Sequence, residues 1–362
     1  MQPDVRIVYI GQKGDRLGDL PRQDSNINAA YAVRAGKFRR YHGEGFRQLL
    51  DVKTLLKNIR DVTFVIAGFF QSWLILKKLK PDIIFIKGGF VGVPVGLAAA
   101  AHGMPYITHD SDALPGLANR IISRWAIIHT VALPKEVYKY PQNKTITVGV
   151  PIHNNYQPVN PDMQIKYRNE IGLGEYKKIL LVTGGGLGAH RLNMSVADII
   201  PALLKEYQDL AIVHTVGRGH ETKMREIYEH KLSDSDLKRV KVEGYLTDLF
   251  RYSGAADVII ARAGATNLAE FAVQAKACVI VPNPQLTGGH QLKNADYLAE
   301  QKAIEVVTEQ ALGSNNNELK ETVETLLNNE VLRNKLGSNL SNFAQADSAT
   351  LLAHLLLKPT LN

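Results

Sequence analysis

The chain has 362 residues, of which 45% are hydrophobic and 22% charged. This length exceeds what one hydrophobic core usually serves and suits two domains, and the composition excludes a largely disordered chain. The single cysteine, Cys278, excludes a disulfide framework and a cysteine-rich metal cluster. No basic stretch followed by an apolar one opens the sequence, so we expect no secretory signal and a cytoplasmic protein.

The net charge of +8 is concentrated in the first half of the chain. Residues 1–150 contain 21 Lys/Arg and 11 Asp/Glu, whereas residues 151–362 contain 22 and 24. A basic half favours nucleic acid, anionic lipid or a phosphorylated substrate as partner. Because the sequence has no helix-turn-helix, zinc or RNA-binding signature, nucleic acid is not an expected partner.

The alternation of short apolar runs with helical patterns predicts parallel sheets covered by helices on both faces. The first half has strand candidates at residues 5–10, 28–33, 82–86, 105–108, 126–131 and 145–148. The second half has them at residues 178–183, 210–215, 240–242, 257–260, 277–281 and 304–307. We therefore predict an α/β protein with two doubly wound Rossmann-like domains, 1–150 and 151–345. The helical segment 346–362 is expected to pack back on the first domain.

No uninterrupted apolar run reaches the roughly 20 residues that span a bilayer. The nearest candidate, residues 62–76, contains Gln71 and Ser72 and is followed by Lys77 and Lys78. The sequence predicts a segment that can lie on a membrane but not cross it.

Residues 262–270 place a glycine turn and a helix start directly after the apolar residues 257–261. A helix N-terminus in this context can hold the phosphate oxygens of a nucleotide. Glu270, about one and a half turns into the helix, can accept hydrogen bonds from ribose hydroxyls. An ordinary strand-turn-helix with a surface glutamate is the alternative.

A second glycine turn, residues 184–188, follows another strand candidate. It is not a Walker A loop, and Arg191 occupies the third glycine position of the dinucleotide fingerprint. The loop therefore favours a diphosphate that does not belong to a dinucleotide. No Asp-x-Asp pattern occurs where a strand enters a turn, so we expect helix dipoles rather than a metal to stabilise that diphosphate.

Many segments match one family in the family's order. They are residues 9–11, 36–40, 87–94, 109–112 and 115–119, the two glycine turns, and His290 with Gln291. On these motifs the chain resembles the MurG family of bacterial N-acetylglucosaminyltransferases, two-domain enzymes of the GT-B fold. The resemblance implies inverting transfer of N-acetylglucosamine from UDP-N-acetylglucosamine to the muramoyl 4-hydroxyl of an undecaprenyl-pyrophosphate-linked peptidoglycan precursor. It implies no cofactor and no metal.

The resemblance also assigns residues. The donor would contact Gly185, Gly186, Leu187, Gly188, Asn193, His153, Tyr245, Leu246, Ala265, Thr266, Asn267, Glu270, His290, Gln291 and Asn294. Glu270 would hold the ribose, Tyr245 and Leu246 would cover the uracil, and Gln291 and Asn294 would contact the N-acetylglucosamine. The acceptor would contact Gly88, Gly89, Phe90, His109 and Asp110.

A lipid-linked acceptor also explains the basic first half. Phe69, Phe70, Trp73 and Leu76 are spaced to form one helical stripe beside a lysine-rich end, which resembles an interfacial patch. A core-facing stripe is the alternative. We expect a peripheral protein on the cytoplasmic face of the plasma membrane, in contact with anionic lipid. Cell-wall synthesis proteins are further candidate partners.

The sequence departs from the family pattern at three places. His153 stands where the family usually has an arginine, and Asp110 replaces a glutamate. The family's first βα unit, with its Gly-Gly-x-x-Gly-His loop, has no counterpart, so the central strand of the first sheet is expected to be missing. Asp110 or His109 would then act as the general base. The alternative functions are a donor-binding subunit that needs a second chain and a nicotinamide-dependent enzyme, which the absent fingerprint disfavours.

Overall fold

A computed structural model describes residues 5–15, 20–37, 52–285, 287–313 and 316–359. The chain forms two compact units, one up to Val148 together with the residues from Thr350 onward, and the other from Gly149 to Ala349. All of the described strand pairs are parallel.

In the described part of the first unit, six strands and four helices precede residue 149. The strands are β1 Val8–Gln12, β2 Ala29–Val33, β3 Ile84–Ile86, β4 Tyr106–Asp110, β5 Ile128–Val131 and β6 Thr145–Thr147. The helices are α1 Leu20–Gln23, α2 Val52–Leu79, α3 Gly92–Ala101 and α4 Leu117–Ile122. Short 3-10 turns cover Ser123–Trp125, Lys135–Val137 and Gln142–Lys144.

The described strands of the first unit form two sheets. β1 pairs with β2, and a separate sheet has the order β3-β4-β5-β6. Among the described strands, β1 and β3 therefore have a hydrogen-bonded neighbour on one side only.

The core of the first unit lies between α2, α3 and the second sheet. It is centred on Leu76, Ile86, Tyr106 and Ile122, with Ile10 of β1 packed against it. Ile10 therefore brings the β1–β2 sheet to the same core as the four-stranded sheet.

The predicted interfacial stripe on α2 is wrong for three of its four residues. Leu76 is part of the core, and Phe69 and Trp73 pack against it. Only Phe70, 60% exposed, faces outward. The reason is helical geometry, since positions 69, 73 and 76 share one face and position 70 is rotated by about 100° from position 69.

One described helix, Asn58–Leu79, is long and apolar enough to cross a membrane by length and composition, with a mean hydropathy of 1.4. This test considers length and composition alone, so the expectation that the segment lies on a membrane without crossing it stays a prediction. The same helix contributes core residues to the first unit.

The described residues of the second unit include six strands, and its first helix is α5 Pro161–Glu170. Its strands are β7 Lys178–Thr183, β8 Leu210–Thr215, β9 Val240–Glu243, β10 Val258–Ala261, β11 Ala277–Ile280 and β12 Glu305–Val306. Its further helices are α6 His190–Glu206, α7 Glu221–Lys231, α8 Asp234–Leu237, α9 Leu249–Ala255, α10 Ala265–Val273, α11 His290–Glu300, α12 Asn317–Asn328 and α13 Glu330–Ser341. The last helix, α14 Ser348–Leu357, begins in this unit and continues into the residues grouped with the first.

These six strands form one continuous sheet of order β12-β11-β10-β7-β8-β9. Apolar side chains alternate between its two faces and build a core on each side. Cys278, in β11, the second strand from one edge of the sheet, is completely buried in one of these cores. The predicted Rossmann-like sheet is confirmed for this unit.

Candidate functional site

The strand order of the second unit reverses between β7 and β10. β8, the next strand in the chain, pairs with one side of β7. β10 pairs with the other side of β7 and begins the other half of the sheet. Ligands of doubly wound sheets bind at the carboxyl ends of the strands at such a reversal. The two glycine turns singled out in the sequence follow these two strands.

The turn after β7 has a backbone that only glycine adopts readily. Gly185 and Gly188 have φ values of 81° and 76°. A Cβ on Gly188 would lie 2.2 Å from the carbonyl oxygen of Val216, so a side chain there would displace backbone. Leu187 at the tip is 88% exposed, which leaves the loop's outer surface open to a ligand.

The turn after β10 leads into α10, whose first residues are Ala265, Thr266 and Asn267. Gly264 caps this helix without a side-chain hydrogen bond, and a Cβ on Gly264 would meet no atom within 4 Å. The N–H groups of the first helical turn therefore lack a capping partner and border open space. Free N–H groups at a helix start are suited to binding an anion.

Glu270 lies within α10 and is held by a tyrosine that the sequence did not indicate. The hydroxyl of Tyr156 donates a hydrogen bond to its carboxylate. Burial raises the pKa of Glu270 to about 7, against the opposing effect of that hydrogen bond. His153 is exposed and starts the turn that carries Tyr156, whose N–H donates to the His153 carbonyl at 3.0 Å.

A second missed residue, Arg218, lies over the glycine loop. Its guanidinium carbon is 3.8 Å from the centre of the Tyr245 ring. The backbone N–H of Arg218 donates to the carbonyl of Gly186 at 3.2 Å. Leu246 packs against the core beside them. Arg218 follows Gly217, which has a φ of 93°. This glycine turn after β8 is the sequence pattern from which Arg218 could have been predicted as a site residue.

The α11 residues meet the same edge of the sheet. Asn294 donates to the carbonyl of Ala263 at 3.1 Å, and Gln291 accepts from the N–H of Asn283 at 2.9 Å. These bonds tie α11 to the turns after β10 and β11. His290 starts the helix close to Gly288, where a Cβ would lie 2.9 Å from its Nε2.

Asn193 is placed inside the unit. Its amide nitrogen donates to the carbonyl of Val216 at 2.8 Å, and its oxygen lies 3.3 Å from Nε2 of His214. The side chain is 2% exposed. In this position Asn193 joins α6 to β8 beneath the glycine loop.

The candidate acceptor residues of the first unit meet at the ends of β3 and β4. Gly88 and Gly89 follow β3 with φ values of 93° and 78°, and Phe90 is half-buried beside them. Asn119 of α4 faces Gly88 and donates to the carbonyl of His109 at 2.8 Å. Its Oδ1 is buried without a hydrogen-bond partner among the described residues, so it can accept one from a ligand.

Asp110 and His109 end β4 in different environments. Asp110 accepts hydrogen bonds from the Tyr140 hydroxyl at 2.7 Å and the Gly116 N–H at 3.0 Å, while burial raises its pKa. His109 is fully buried. Its ring nitrogens lie 3.1 Å from the hydroxyls of Thr130 and Ser111. Burial and the charge of Lys87 lower the pKa of His109 to about 4.

No group of three or more His, Cys, Asp or Glu side chains suited to a metal ion occurs in the part of the chain that the structure describes. The Asp234–Leu237 segment forms α8, capped by Ser233, and Asp236 pairs with Arg239.

Two family models match the chain. The model of the glycosyltransferase family 28 N-terminal domain matches residues 4–128, and that of the family 28 C-terminal domain matches residues 179–351. The N-terminal match lies within the first compact unit, and the C-terminal match lies within the second apart from its last two residues.

Curated relatives cover nearly the whole chain. A Bacillus thuringiensis subsp. konkukian protein is 31% identical over 332 residues, which are 91% of this chain and 86% of the relative. A Staphylococcus aureus protein (strain bovine RF122 / ET3-1) is 29% identical over 98% of this chain and 91% of its own length. Both are named UDP-N-acetylglucosamine–N-acetylmuramyl-(pentapeptide) pyrophosphoryl-undecaprenol N-acetylglucosamine transferase, the former with the suffix 2.

Solved structures show the same fold. Acinetobacter baumannii MurG superposes with a TM-score of 0.70 at 24% identity, covering 98% of this chain and 91% of that one. The calicheamicin glycosyltransferase CalG4 superposes with a TM-score of 0.62 at 13% identity, covering 98% and 91%. The chain has the GT-B fold and is a glycosyltransferase that belongs to the MurG family.

Proposed function

We propose that this protein transfers N-acetylglucosamine from UDP-N-acetylglucosamine to the muramoyl 4-hydroxyl of an undecaprenyl-pyrophosphate-linked peptidoglycan precursor, with inversion at the anomeric carbon. The observation that carries the proposal is the grouping of two uncapped glycine turns with the half-buried Glu270 at the carboxyl edge of β7 and β10. A nucleoside diphosphate needs both features, N–H groups for phosphate oxygens and a carboxylate for ribose hydroxyls.

On the donor side, the diphosphate binds at residues 185–188 and at the start of α10. Glu270 accepts hydrogen bonds from the ribose, Tyr245 and Leu246 cover the uracil, and α11 contributes Gln291 and Asn294 to the sugar. Arg218 adds a cation beside the loop, which compensates for the exposed His153 in place of the family's arginine.

On the acceptor side, we assign the general base to Asp110. A buried carboxylate with a raised pKa is better matched to proton abstraction near neutral pH than an exposed one. His109 has both ring nitrogens engaged with hydroxyls, so it holds the end of β4 next to the base. Gly88, Gly89 and Phe90 form the adjoining surface for the acceptor.

The exposed face of α2 supports peripheral contact with an anionic membrane at its cytoplasmic face. Ile59, Val62, Ile66, Phe70 and Leu74 recur every three or four residues and are all more than 40% exposed. The helix ends with Lys77 and Lys78. Apolar side chains next to lysines suit the boundary between acyl chains and anionic headgroups.

The alternative of a donor-binding subunit that needs a second chain is not favoured. Similarity to complete transferases extends through both units, over 98% of this chain in the Staphylococcus aureus relative. Both the donor turns and the acceptor turns are present in one chain.

Transfer assays with a short-chain lipid-linked muramoyl-peptide acceptor test the function. We expect the wild-type protein to form the disaccharide product from UDP-N-acetylglucosamine, identified by mass spectrometry. Asp110→Asn should lower kcat at least about a hundredfold, because it removes the base. Donor binding should stay unchanged in this variant, since Asp110 belongs to the other unit.

The matched control is Glu136→Gln, which removes an exposed carboxylate from the same unit. A wild-type protein that binds NADH as well as UDP-N-acetylglucosamine, or that forms no disaccharide, would contradict the proposal. Full activity of Asp110→Asn would contradict the assignment of the base alone.

A further inference from the structure

A cluster of three charged side chains, Arg191, Arg262 and Glu309, lies at the carboxyl edge of the second unit's sheet. Arg262 directly follows β10 and precedes the Gly264 turn into α10. Arg191 is the second residue of α6, which starts just after the glycine loop 184–188. Glu309 begins a short 3-10 turn after β12. Each of three neighbouring segments at this edge therefore contributes one charged side chain.

Arg262 and Glu309 form a buried ion pair, with side chains that are 9% and 11% exposed. Arg262 donates to both carboxylate oxygens of Glu309, from Nη1 to Oε2 and from Nη2 to Oε1 at 3.3 Å. Nη1 also donates to the carbonyl of Val281, the residue after β11, at 3.0 Å. A bidentate contact of this kind fixes the orientation of both planar groups. The segments that follow β10, β11 and β12 are therefore held together by one guanidinium.

Arg191 attaches the start of α6 to the same carboxylate. Its Nε lies 3.6 Å from Oε1 of Glu309, and its Nη2 donates to the carbonyls of Glu309 and Leu312 at 3.0 and 2.8 Å. Leu312 is buried in the core, and the Thr308 side chain caps the turn by accepting from the N–H of Ala311. The turn that carries Glu309 is therefore itself anchored to the core.

The cluster connects the two places where the donor diphosphate is proposed to bind. Arg191 lies three residues after Gly188 of the glycine loop. Arg262 lies two residues before Gly264, which caps α10. Two sets of N–H groups can bind one diphosphate only at the right spacing, and a displacement of about 1 Å can cost a hundredfold in rate. A carboxylate that contacts both arginines, Glu309, can fix that spacing.

We infer that Glu309 is a positioning residue for the donor diphosphate. Through Arg191 and Arg262 it sets the distance between the glycine loop and the start of α10. The inference rests on the proposed function for the identity of the ligand, a nucleoside diphosphate. It also gives a role to Arg191, which occupies the position of the third glycine in a dinucleotide fingerprint.

The nucleoside part of the donor does not depend on this spacing. Glu270, proposed to hold the ribose, lies in the body of α10, where Leu268 and Phe271 are fixed in the core. Tyr245, proposed to cover the uracil, lies against Arg218 and not against the cluster. A change at Glu309 should therefore weaken ligands that carry the diphosphate and leave the nucleoside alone unaffected.

Glu309→Gln tests this role, because it removes the charge and keeps the size of the side chain. We expect the dissociation constant for UDP, measured by calorimetric titration, to rise at least about tenfold, since the two phosphate-binding segments lose their common partner. The dissociation constant for uridine, measured by NMR titration, should stay within about twofold of wild type, because uridine carries no phosphate. Unchanged uridine binding also shows that the second unit is folded. Glu226→Gln, an exposed carboxylate of α7 in the same unit, is the control and should change neither constant.

Arg191→Gln is a second variant, chosen because its side chain is half exposed and its loss should be tolerated by the fold. It should also weaken UDP binding. In Arg191→Gln/Glu309→Gln, the loss of binding free energy should be smaller than the sum of the two single losses, because both side chains act through one network.

The outcomes separate this inference from the proposed function. Wild-type binding of UDP together with an unchanged UDP constant in Glu309→Gln would overturn the inference and leave the transferase function intact. Equal losses for UDP and uridine, or additive losses in the double variant, would overturn it in the same way. A wild-type protein that does not bind UDP would contradict the proposed function and the inference with it.

Discussion

Glu270 combines two demands that act against each other. Hydrogen bonds from ribose hydroxyls require the ionised carboxylate, whereas burial favours the protonated acid and raises the pKa to about 7. Tyr156 offsets part of this cost by donating a hydrogen bond to the ionised form. Near pH 7 the carboxyl group of Glu270 is therefore partly protonated, whereas the proposed contact with ribose needs it ionised.

Donor affinity should fall as the pH is lowered from 8 to 6. Below the pKa of Glu270 we expect the dissociation constant for UDP-N-acetylglucosamine to rise by up to about tenfold per pH unit, because only the ionised form accepts both hydroxyl hydrogens. Calorimetric titration at several pH values measures this change. A dissociation constant that is flat over this range would contradict the role of Glu270.

The same residue gives an opposite prediction for stability. Between its unfolded value near 4.5 and its folded pKa near 7, the folded state keeps a proton that the unfolded state has released. The contribution of Glu270 to the free energy of unfolding is therefore fully present below pH 4.5 and is lost as the pH rises through 7. Glu270→Gln should raise the unliganded melting temperature more at pH 8 than at pH 5, and exposed Glu226→Gln should not.

Sequence reasoning found Glu270 but not its partners. A carboxylate at fixed distance from a glycine turn is a local pattern, so the printed sequence is sufficient to find it. Tyr156 and Arg218 reach the site from other parts of the fold, and their role depends on tertiary contacts that no local pattern records. Asn193 shows the converse, since its position beside the glycine loop was predicted while its inward orientation was not.

The helix α2 has two apolar faces, which the sequence analysis treated as a single stripe. One face packs Phe69 and Trp73 on the core, and the other exposes Ile66 and Phe70. Both faces are apolar, so helical periodicity shows that stripes exist without showing which one faces the sheet. The structure resolves the question through the contacts of α2 with the core.

Ile66→Ser/Phe70→Ser should weaken binding to vesicles that contain anionic phospholipid. We expect at least about a tenfold loss of partitioning, because two apolar side chains no longer enter the interface. The melting temperature should stay close to that of wild type, since both side chains are exposed.

Vesicle sedimentation measures the loss. Ile165→Ser/Val331→Ser removes two equally exposed apolar side chains from the second unit and is the control. If the two double variants bind vesicles equally well, the α2 face is not the membrane-contacting surface.

For the whole molecule, the two units differ in the continuity of their sheets. The second has six hydrogen-bonded strands in one sheet, whereas the first is divided into sheets of two and four. A two-stranded sheet has little independent stability and depends on packing such as that of Ile10. The first unit should therefore be the less stable one.

Differential scanning calorimetry should show two transitions. UDP-N-acetylglucosamine should raise the upper one, because the donor residues lie in the second unit and binding stabilises the state that binds. A single transition that shifts as a whole with the donor would show that the units unfold together.

The sequence predicted all twelve described strands but not how those of the first unit pair with one another. Each of the twelve candidates overlaps an observed strand, because apolar runs bounded by turns are local features. Pairing between β1 and β3 would be a long-range property, and 50 residues and the helix α2 separate β2 from β3. Sequence patterns alone could not show that the two groups form separate sheets.

The burial of Cys278 in β11 has a practical consequence. Its side chain has no exposed surface, and burial raises the pKa of the thiol far above its ordinary value, so thiol reagents cannot reach a reactive thiolate there. A cysteine introduced at Leu187, at the exposed tip of the glycine loop, would be the one reactive thiol of the chain. A fluorophore attached at that position would report donor arrival without any removal of the native cysteine.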